Sequence, residues 1–250
     1  KRWEIPYKRG WKRWHYITGL IFGVFLVWWS ISGIFSMSRV PQWIVPTKAE
    51  FTFNTSRLWG KGVLPLETYQ LDYRKLQDVY PDLKKVDWVR FADIPAYRII
   101  EGENERYIDA SGTEVVALNV PQKTIEEGFR KIHGNDSKMT VTVLEKYDNY
   151  YLNLRRTLEL PVYKVEFDDD DHNLYYVNPR DGYIRYLNKN KIVDKWLFSA
   201  IHYLNMGWLV NRPWLWTFCL WFLCIGCGIV CFTGVVLGVK TWLIRKKKKS

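Results

Sequence analysis

Two stretches decide the fold of this chain: YITGLIFGVFLVWWSISGIFSMS at residues 16–38 and PWLWTFCLWFLCIGCGIVCFTGVVLGV at residues 213–239. Neither contains Asp, Glu, Lys or Arg. Each exceeds the roughly 20 apolar residues that a helix needs to cross a bilayer core. The first is also too long for the apolar core of about 7–15 residues in a cleaved signal peptide, so we expect it to be retained. The sequence therefore predicts a membrane protein with two transmembrane helices, at 14–38 and 212–242.

The formal net charge of +11 is concentrated just outside the two apolar stretches. Residues 1–13 contain six Lys and Arg against the single acid Glu4, and residues 240–250 contain six with no acid. Basic residues beside a span mark its cytoplasmic side, and lysines there lie on anionic lipid headgroups. Both tails, 1–13 and 243–250, are therefore predicted to be cytoplasmic. Because no basic stripe is left for a folded face, we expect no nucleic-acid partner.

The stretch between the two spans, 39–192, is predicted to be an exported α+β domain, because both tails are predicted to be cytoplasmic. A cytoplasmic membrane with an exported domain suggests a bacterial inner-membrane protein, in which this domain is periplasmic. One helix is expected over about 66–79. A second is announced by the capping-box pattern TIEE at 124–127 and is expected to run to about His133. Strand-like runs follow each helix, near 86–91, 96–100, 106–109, 139–145, 162–167, 174–177 and 183–187.

The two halves of this domain resemble each other at an offset near 70 residues. PAYRI at 95–99 matches PVYKV at 161–165, and YIDASG at 107–112 matches YVNPRDG at 176–182. Each of the second pair of segments ends at a turn glycine, where a positive φ is easily reached. The repeat predicts a tandem of helix and antiparallel strands, with the halves either sharing one sheet or stacking two small sheets.

All four cysteines, at 219, 224, 227 and 231, lie in the second apolar stretch. The domain at 39–192 therefore contains no disulfide framework. The spacing places Cys224, Cys227 and Cys231 along one helix face. This pattern is compatible with a thiol or metal stripe, but small residues for close helix packing are the preferred interpretation.

Two of the four histidines, His15 and His202, lie near opposite faces of the predicted membrane region. His15 begins the first span, and His202 belongs to an amphipathic stretch predicted as an interfacial helix at 193–211. One interpretation is axial ligation of b-type haem, because neutral imidazole is a good iron ligand. Gly19, one turn from His15, would let the flat macrocycle approach the helix.

Basic residues near both histidines strengthen the haem interpretation. Lys12 and Arg13 at one face, and Arg212 at the other, could pair with haem propionates. The alternative is that the histidines are polar anchors at the membrane interface and that Gly19-x3-Gly23 is a helix-packing motif. The residues alone leave both interpretations open.

An ordered set of short motifs resembles the PepSY-associated transmembrane family across nearly the whole chain. The motifs are His15-x3-Gly19, Ser32-Gly33, Pro161-Val162-Tyr163, Asp181-Gly182, Ala200-Ile201-His202, Arg212-Pro213-x-Leu215-Trp216 and Thr233-Gly234-Val235. Many members have four spans with further histidines, whereas this chain shows two. The resemblance implies a tandem PepSY-like domain and a link to iron uptake, since several members resemble haem-containing reductases of ferric siderophores.

The distance between the two histidines limits any haem arrangement. A helix rises about 1.5 Å per residue, so His15 and His202 are expected to lie roughly a membrane thickness apart and cannot hold one iron together. The simplest second ligand is the same histidine of a second copy. We therefore expect a homodimer with two haem b groups, one held by both copies of His15 and one by both copies of His202.

The expected function is transmembrane electron transfer that reduces ferric iron or a ferric chelate on the periplasmic side. The sequence contains no P-loop, dinucleotide fingerprint, catalytic triad or zinc signature, so the electron donor is expected to be a quinol or a protein redox partner. The acidic run at 168–171, followed by His172, is more typical of a solvated turn than of a metal site.

Two rival functions remain at this stage. The chain could be a non-enzymatic membrane-tethered binding module that inhibits a peptidase or assists a transporter. It could also be an accessory subunit of a larger redox complex. Haem content separates the first rival from the reductase.

Overall fold

The computed structural model describes Tyr7, Leu154 and residues 10–37, 40–152 and 157–247. The basic residues at 1, 2, 8, 9, 248 and 249, on which part of the charge argument rests, lie outside the described residues. In chain order the elements are α1 (Trp11–Met37), α2 (Ser56–Trp59), α3 (Lys75–Val79), β1 (Leu83–Phe91), β2 (Ile94–Glu101), β3 (Asn104–Asp109), β4 (Val116–Ala117), α4 (Gln122–His133), β5 (Met139–Leu144), β6 (Val162–Phe167), β7 (Leu174–Val177), β8 (Ile184–Leu187), α5 (Lys189–Asp194), α6 (Gly207–Val210) and α7 (Pro213–Lys247).

The chain forms two compact units. The first, called here the helix-pair unit, joins the residues up to Ile44 with those from Val193 onward. The second, called here the two-sheet unit, comprises Val45–Ile192. The predicted α+β class is therefore confirmed, with two antiparallel sheets in one unit and two long apolar helices in the other.

The helices α1 and α7 are long and apolar enough to cross a membrane. At about 1.5 Å per residue, even the shorter of them exceeds the hydrocarbon thickness of roughly 30 Å. Only 17% of the most apolar stretch of α1 and 28% of that of α7 is buried. A core helix of a soluble protein would be mostly enclosed, whereas these helices expose large apolar side chains such as Trp28 and Trp221.

A narrow apolar seam joins α1 to α7. Phe22 packs there against Leu223, Cys227 and Val230. A Cβ atom on Gly226 would lie 2.3 Å from the Phe22 ring, so glycine is required for this approach. Of the three cysteines predicted to share a face, Cys227 is buried in the seam, whereas the other two are exposed.

The segment before α7 is not the single helix expected over 193–211. After α5 the chain makes a π-helical turn at Lys195–Ala200 and leaves helical geometry near His202. Leu204 adopts a positive φ of 51°, and the Asn205 amide donates back to the Ser199 carbonyl. Helix resumes only with the short α6.

The two-sheet unit contains two four-stranded antiparallel sheets with the same strand order, β1-β2-β3-β4 and β5-β6-β7-β8. The matched segments occupy equivalent places, since 95–99 lies in β2 and 161–165 meets β6, each the second strand of its sheet. The segments 107–112 and 176–182 likewise begin in the third strand of each sheet and continue into the turn that follows it. The predicted tandem repeat is present in the topology, as two sheets rather than one.

One hydrophobic core is shared by both halves. It combines Phe91 and Ala96 from the first sheet with Val165 and Tyr175 from the second, beneath Phe129 of α4. Each half also buries a smaller cluster formed by its own residues, so the shared core joins two halves that are each partly packed by themselves.

The backbone of the turn between β7 and β8 packs closely against side chains of the first half. Gly182 has φ +69°, and a Cβ atom there would lie 2.1 Å from the Phe91 ring. The indole of Trp59 donates to the Gly182 carbonyl at 2.8 Å. The expected positive φ is found at Gly182 but not at its counterpart Gly112.

Two helix predictions in this unit need correction. The helix expected over 66–79 is a 3₁₀ turn at Leu66–Thr68 followed by α3, because the amides of Gln70 and Leu71 donate to the Ala110 carbonyl instead of continuing a helix. The capping box is also wrong, since α4 begins earlier, after Pro121, with no side-chain cap.

Candidate functional site

His15 is held at one end of the helix pair by a hydroxyl of α7. Its Nδ1 lies 2.9 Å from Oγ1 of Thr233. That hydroxyl is 2.8 Å from the Ile229 carbonyl of its own helix, to which it donates its one hydrogen. With its hydrogen used in this way, the hydroxyl accepts from the Nδ1–H tautomer of His15, in which Nε2 keeps its lone pair.

His202 is held in the same way at the other end. Its Nδ1 lies 3.1 Å from Oγ of Ser32 on α1. The Ser32 hydroxyl also lies 3.1 Å from the Trp29 carbonyl, and when it donates there it accepts from the imidazole. In the tautomer that carries the proton on Nδ1, each histidine presents an unprotonated Nε2, which is the form that ligates a metal.

The two histidine–hydroxyl pairs lie far apart. Ser32 follows His15 by 17 residues on the same helix, about 25 Å along its axis. The structure therefore agrees with the expectation that His15 and His202 cannot bind one iron together.

The surroundings of the two histidines differ. The His202 ring contacts Phe198, Tyr203 and Trp29, with ring centroids 5.1, 5.2 and 6.4 Å away. His15 instead lies against backbone, because a Cβ atom on Gly234 would be 3.3 Å from its Cε1. One imidazole sits among aromatic rings and the other fits against a glycine.

The two glycines near His15 are not part of the seam with α7. A Cβ atom on Gly19 or Gly23 would meet nothing within 4 Å. At 100° per residue they lie about 40° and 80° around α1 from His15, and with Val24, Val27 and Trp28 they line an open apolar groove. Within this chain the helix-packing interpretation of Gly19-x3-Gly23 is therefore not met, and the groove offers a flat apolar surface beside His15.

The predicted propionate partners lie at the surface. Arg13 is exposed two residues before His15 on α1. Arg212 is exposed just before α7, and its guanidinium makes one long bond of 3.4 Å to the Trp208 carbonyl. Exposed guanidinium groups near the histidines suit carboxylate pairing, since they need not be desolvated first.

His133, in the two-sheet unit, is bonded differently from both. Its Nε2 lies 3.0 Å from the Tyr175 hydroxyl, and its ring stacks on Phe167 with centroids 4.0 Å apart. Burial lowers the pKa of this imidazole below its ordinary value. His133 is therefore a half-buried histidine whose Nε2 is paired with Tyr175 and whose ring is packed against Phe167.

The acidic run at 168–171 is a structural turn. Burial alone would raise the pKa of Asp171, but hydrogen bonds from Thr47 and Lys189 and from the Lys48 amide bring it below its ordinary value. These bonds occupy the carboxylate. Among the described residues no group of three or more His, Cys, Asp or Glu is placed to hold a metal ion.

Sequence reasoning found the two histidines but missed the hydroxyls that orient them. Ser32 and Thr233 each directly precede a glycine, and these Ser/Thr-Gly pairs were noted as motifs without a role. Their spacing from His202 and His15, 170 and 218 residues, gives no local signal.

Comparisons of the chain with protein-family models, with curated proteins and with solved structures find no match.

Proposed function

We propose that the chain is a bacterial inner-membrane protein of the PepSY-associated transmembrane type that crosses the bilayer twice. Both tails would be cytoplasmic and the two-sheet unit periplasmic. The apolar side chains that α1 and α7 expose support this proposal, because such surfaces are stable in lipid and unfavourable in water.

Its function is electron transfer through b-type haem to ferric iron or a ferric chelate on the periplasmic side. The observation that carries this proposal is the pair of imidazoles, His15 and His202, whose Nδ1 atoms lie within hydrogen-bond distance of hydroxyls and whose Nε2 atoms have no hydrogen-bond partner among the described residues. Metal-bound histidines have this second hydrogen bond in most proteins. Haem would supply one-electron chemistry at these positions.

The residues of the chain have separate tasks in this proposal. Thr233 and Ser32 hold each imidazole in the Nδ1–H tautomer and fix its orientation. Gly19 and Gly23 keep the surface beside His15 flat for the macrocycle, and the exposed guanidinium groups of Arg13 and Arg212 pair with propionates.

A homodimer completes the ligand sets. One chain offers a single such histidine at each end of the helix pair, whereas in the proposed arrangement two histidines would hold each haem. A second copy supplies the other His15 and the other His202, so that the dimer holds two haem b groups. The unused groove along α1 is compatible with a partner helix or with the macrocycle.

The electron count fixes what the donor must provide. Each ferric ion takes one electron to become ferrous. A quinol gives up two electrons and two protons, so one quinol reduces two ferric ions. A protein redox partner that gives one electron at a time serves equally well.

The deciding experiment compares absorption spectra of the dithionite-reduced and air-oxidised protein, purified in detergent from cells with ample haem. We expect sharp α and Soret bands of low-spin haem b. His15→Ala and His202→Ala should each remove about half of the haem. His202→Ala should also abolish ferric reduction by the full chain.

The matched control is His172→Asn, because His172 has φ +48°, which asparagine tolerates, and lies outside the helix pair. It should retain the full spectrum. A featureless spectrum of the wild type would reject the reductase and leave the non-enzymatic binding module, which needs no cofactor.

A further inference from the structure

The two-sheet unit contains a cleft where basic side chains from three separate elements meet. Arg57 comes from α2, Arg90 from β1 and Lys131 from α4. The cleft has a volume of about 280 Å³. We call it the basic cleft.

Contacts within the protein fix the position of the Arg90 guanidinium. Its Nε donates to the Ala92 carbonyl at 2.7 Å. A Cβ atom on Gly60 would lie 2.8 Å from that same Nε, so a glycine with φ +87° lets the guanidinium lie against the backbone. The half-buried side chain is thus fixed through one nitrogen, and its two terminal nitrogens remain as a fork of donors.

A second glycine fixes the opposite wall. A Cβ atom on Gly128 of α4 would lie 2.5 Å from Leu58, so α2 and α4 approach each other closely only because glycine stands there. The basic side chains of Arg57 and Lys131 are carried on these two packed helices. The backbone of these two helices is therefore fixed by buried packing around Leu58, and the exposed side chains of Arg57 and Lys131 extend from it.

The positive groups are incompletely neutralised. Within the described residues Lys131 has no ion pair, and Arg57 has only a long one of 3.9 Å to Glu50. The Glu127 carboxylate, which also lines the cleft, lies 3.8 Å from Lys123. Asp93 adds one exposed acid.

We propose that the basic cleft binds a small oxyanion, with the Arg90 fork on the carboxylate or phosphate oxygens and with Lys131 and Arg57 as further cationic donors. Planar bidentate recognition is what arginine offers to such groups. Thr124 and Asp93 also line the cleft, and their polar side chains suit hydroxyl groups of the ligand. The best match is a hydroxycarboxylate, and a phosphate ester shares the same chemistry.

The test is isothermal titration calorimetry on the full chain in detergent at low ionic strength, with citrate and inorganic phosphate as the probes. We expect saturable binding at one site per chain. Lys131→Gln and Arg90→Gln should each weaken it about tenfold, as the loss of a charge-assisted hydrogen bond does. Tighter binding of citrate assigns a carboxylate ligand, and tighter binding of phosphate assigns a phosphate.

Lys138→Gln is the matched control, since it removes one exposed lysine from the same unit, outside the cleft. It should leave the affinity unchanged. Lys131 is also exposed, so its variant folds whether or not Arg90→Gln does. No saturable binding of either probe to the wild type, or an equal loss in Lys138→Gln, overturns the proposal. The measurement involves no haem, so its outcome does not depend on the reductase.

Discussion

At one end of the helix pair the histidine belongs to α1 and the hydroxyl to α7, whereas at the other end the hydroxyl belongs to α1 and the histidine to the segment before α7. The hydrogen-bond pattern is the same in both, although the elements are exchanged. The packing differs, because His15 lies against Gly234 and His202 lies among aromatic rings. The shared feature is therefore the oriented imidazole, and each end reaches it by different local means.

The largest expected effect tests the difference in packing. Gly234→Leu places a branched side chain where His15 now lies, because even a Cβ atom would be 3.3 Å from its Cε1. We expect loss of the haem associated with His15, about half of the total, measured as the haem-to-protein ratio of the purified protein.

Gly33→Leu is the matched variant at the other end, since a Cβ atom on Gly33 meets nothing within 4 Å. It should keep the full haem content. Equal losses in the two variants would mean that close packing at His15 is not special.

A smaller effect tests the feature that the two ends share. Thr233→Val and Ser32→Ala remove the hydroxyls that accept from Nδ1–H while leaving both histidines in place. Each should weaken haem binding at its own end about tenfold, the lower end of the range for partners of metal-bound histidines. Titration of haem into the haem-free protein measures this.

Two controls use the same residue types without a histidine. Thr241 and Ser30 donate to their own helix carbonyls at 2.8 and 2.9 Å, as the functional pair does. Thr241→Val and Ser30→Ala should bind haem as the wild type does. If they weaken binding as much as the functional variants, general helix destabilisation explains the result.

The smallest effect contrasts these histidines with His133, whose Nε2 is already bonded. Because burial lowers its folded-state pKa, the unfolded chain binds a proton more readily below about pH 6.5. The stability that neutral His133 contributes is present above pH 6.5 and is lost as the pH falls toward the folded-state pKa. The unfolding midpoint should therefore drop between pH 7.5 and pH 5.

His133→Phe keeps the ring stacked on Phe167 and removes the titrating group. Its midpoint should fall less over the same pH range, by on the order of 2 °C, in differential scanning fluorimetry of the full chain. Its haem content should equal that of the wild type. An identical pH response in both proteins would assign the effect to other groups.

Much of the architecture could be predicted from local patterns. All strands except the two-residue β4 were predicted, because turn residues and runs of strand-forming residues are local signals, and β6 and β7 lie where they were expected. The predicted helix over 66–79 is wrong because the amides of Gln70 and Leu71 donate to the Ala110 carbonyl. That residue lies about 40 positions away, so no sequence periodicity shows the contact. The break in the helix after His202 was not predicted for a similar reason. The amphipathic pattern does not reveal that the Asn205 amide donates to the Ser199 carbonyl.

Only part of the candidate site could likewise be predicted from the sequence. His15 and His202 stood out because histidine is rare in this chain and both lie beside apolar stretches. The roles of Ser32 and Thr233 could not be predicted, because they depend on which helix faces meet. The basic cleft was missed for the same reason, since Arg57, Arg90 and Lys131 converge only after α2, β1 and α4 have packed.

The exchange of elements between the two ends has a consequence for biosynthesis. α1 emerges from the ribosome about 200 residues before α7, yet His15 has no Nδ1 partner until Thr233 has been made and placed beside it. Ser32 likewise waits for His202. A chain truncated before α7 keeps His202 and Ser32 but lacks the Thr233 partner of His15. If the two histidines bind haem as proposed, insertion at His15 would therefore belong to the last stage of assembly, and the truncated chain would lose the haem held there.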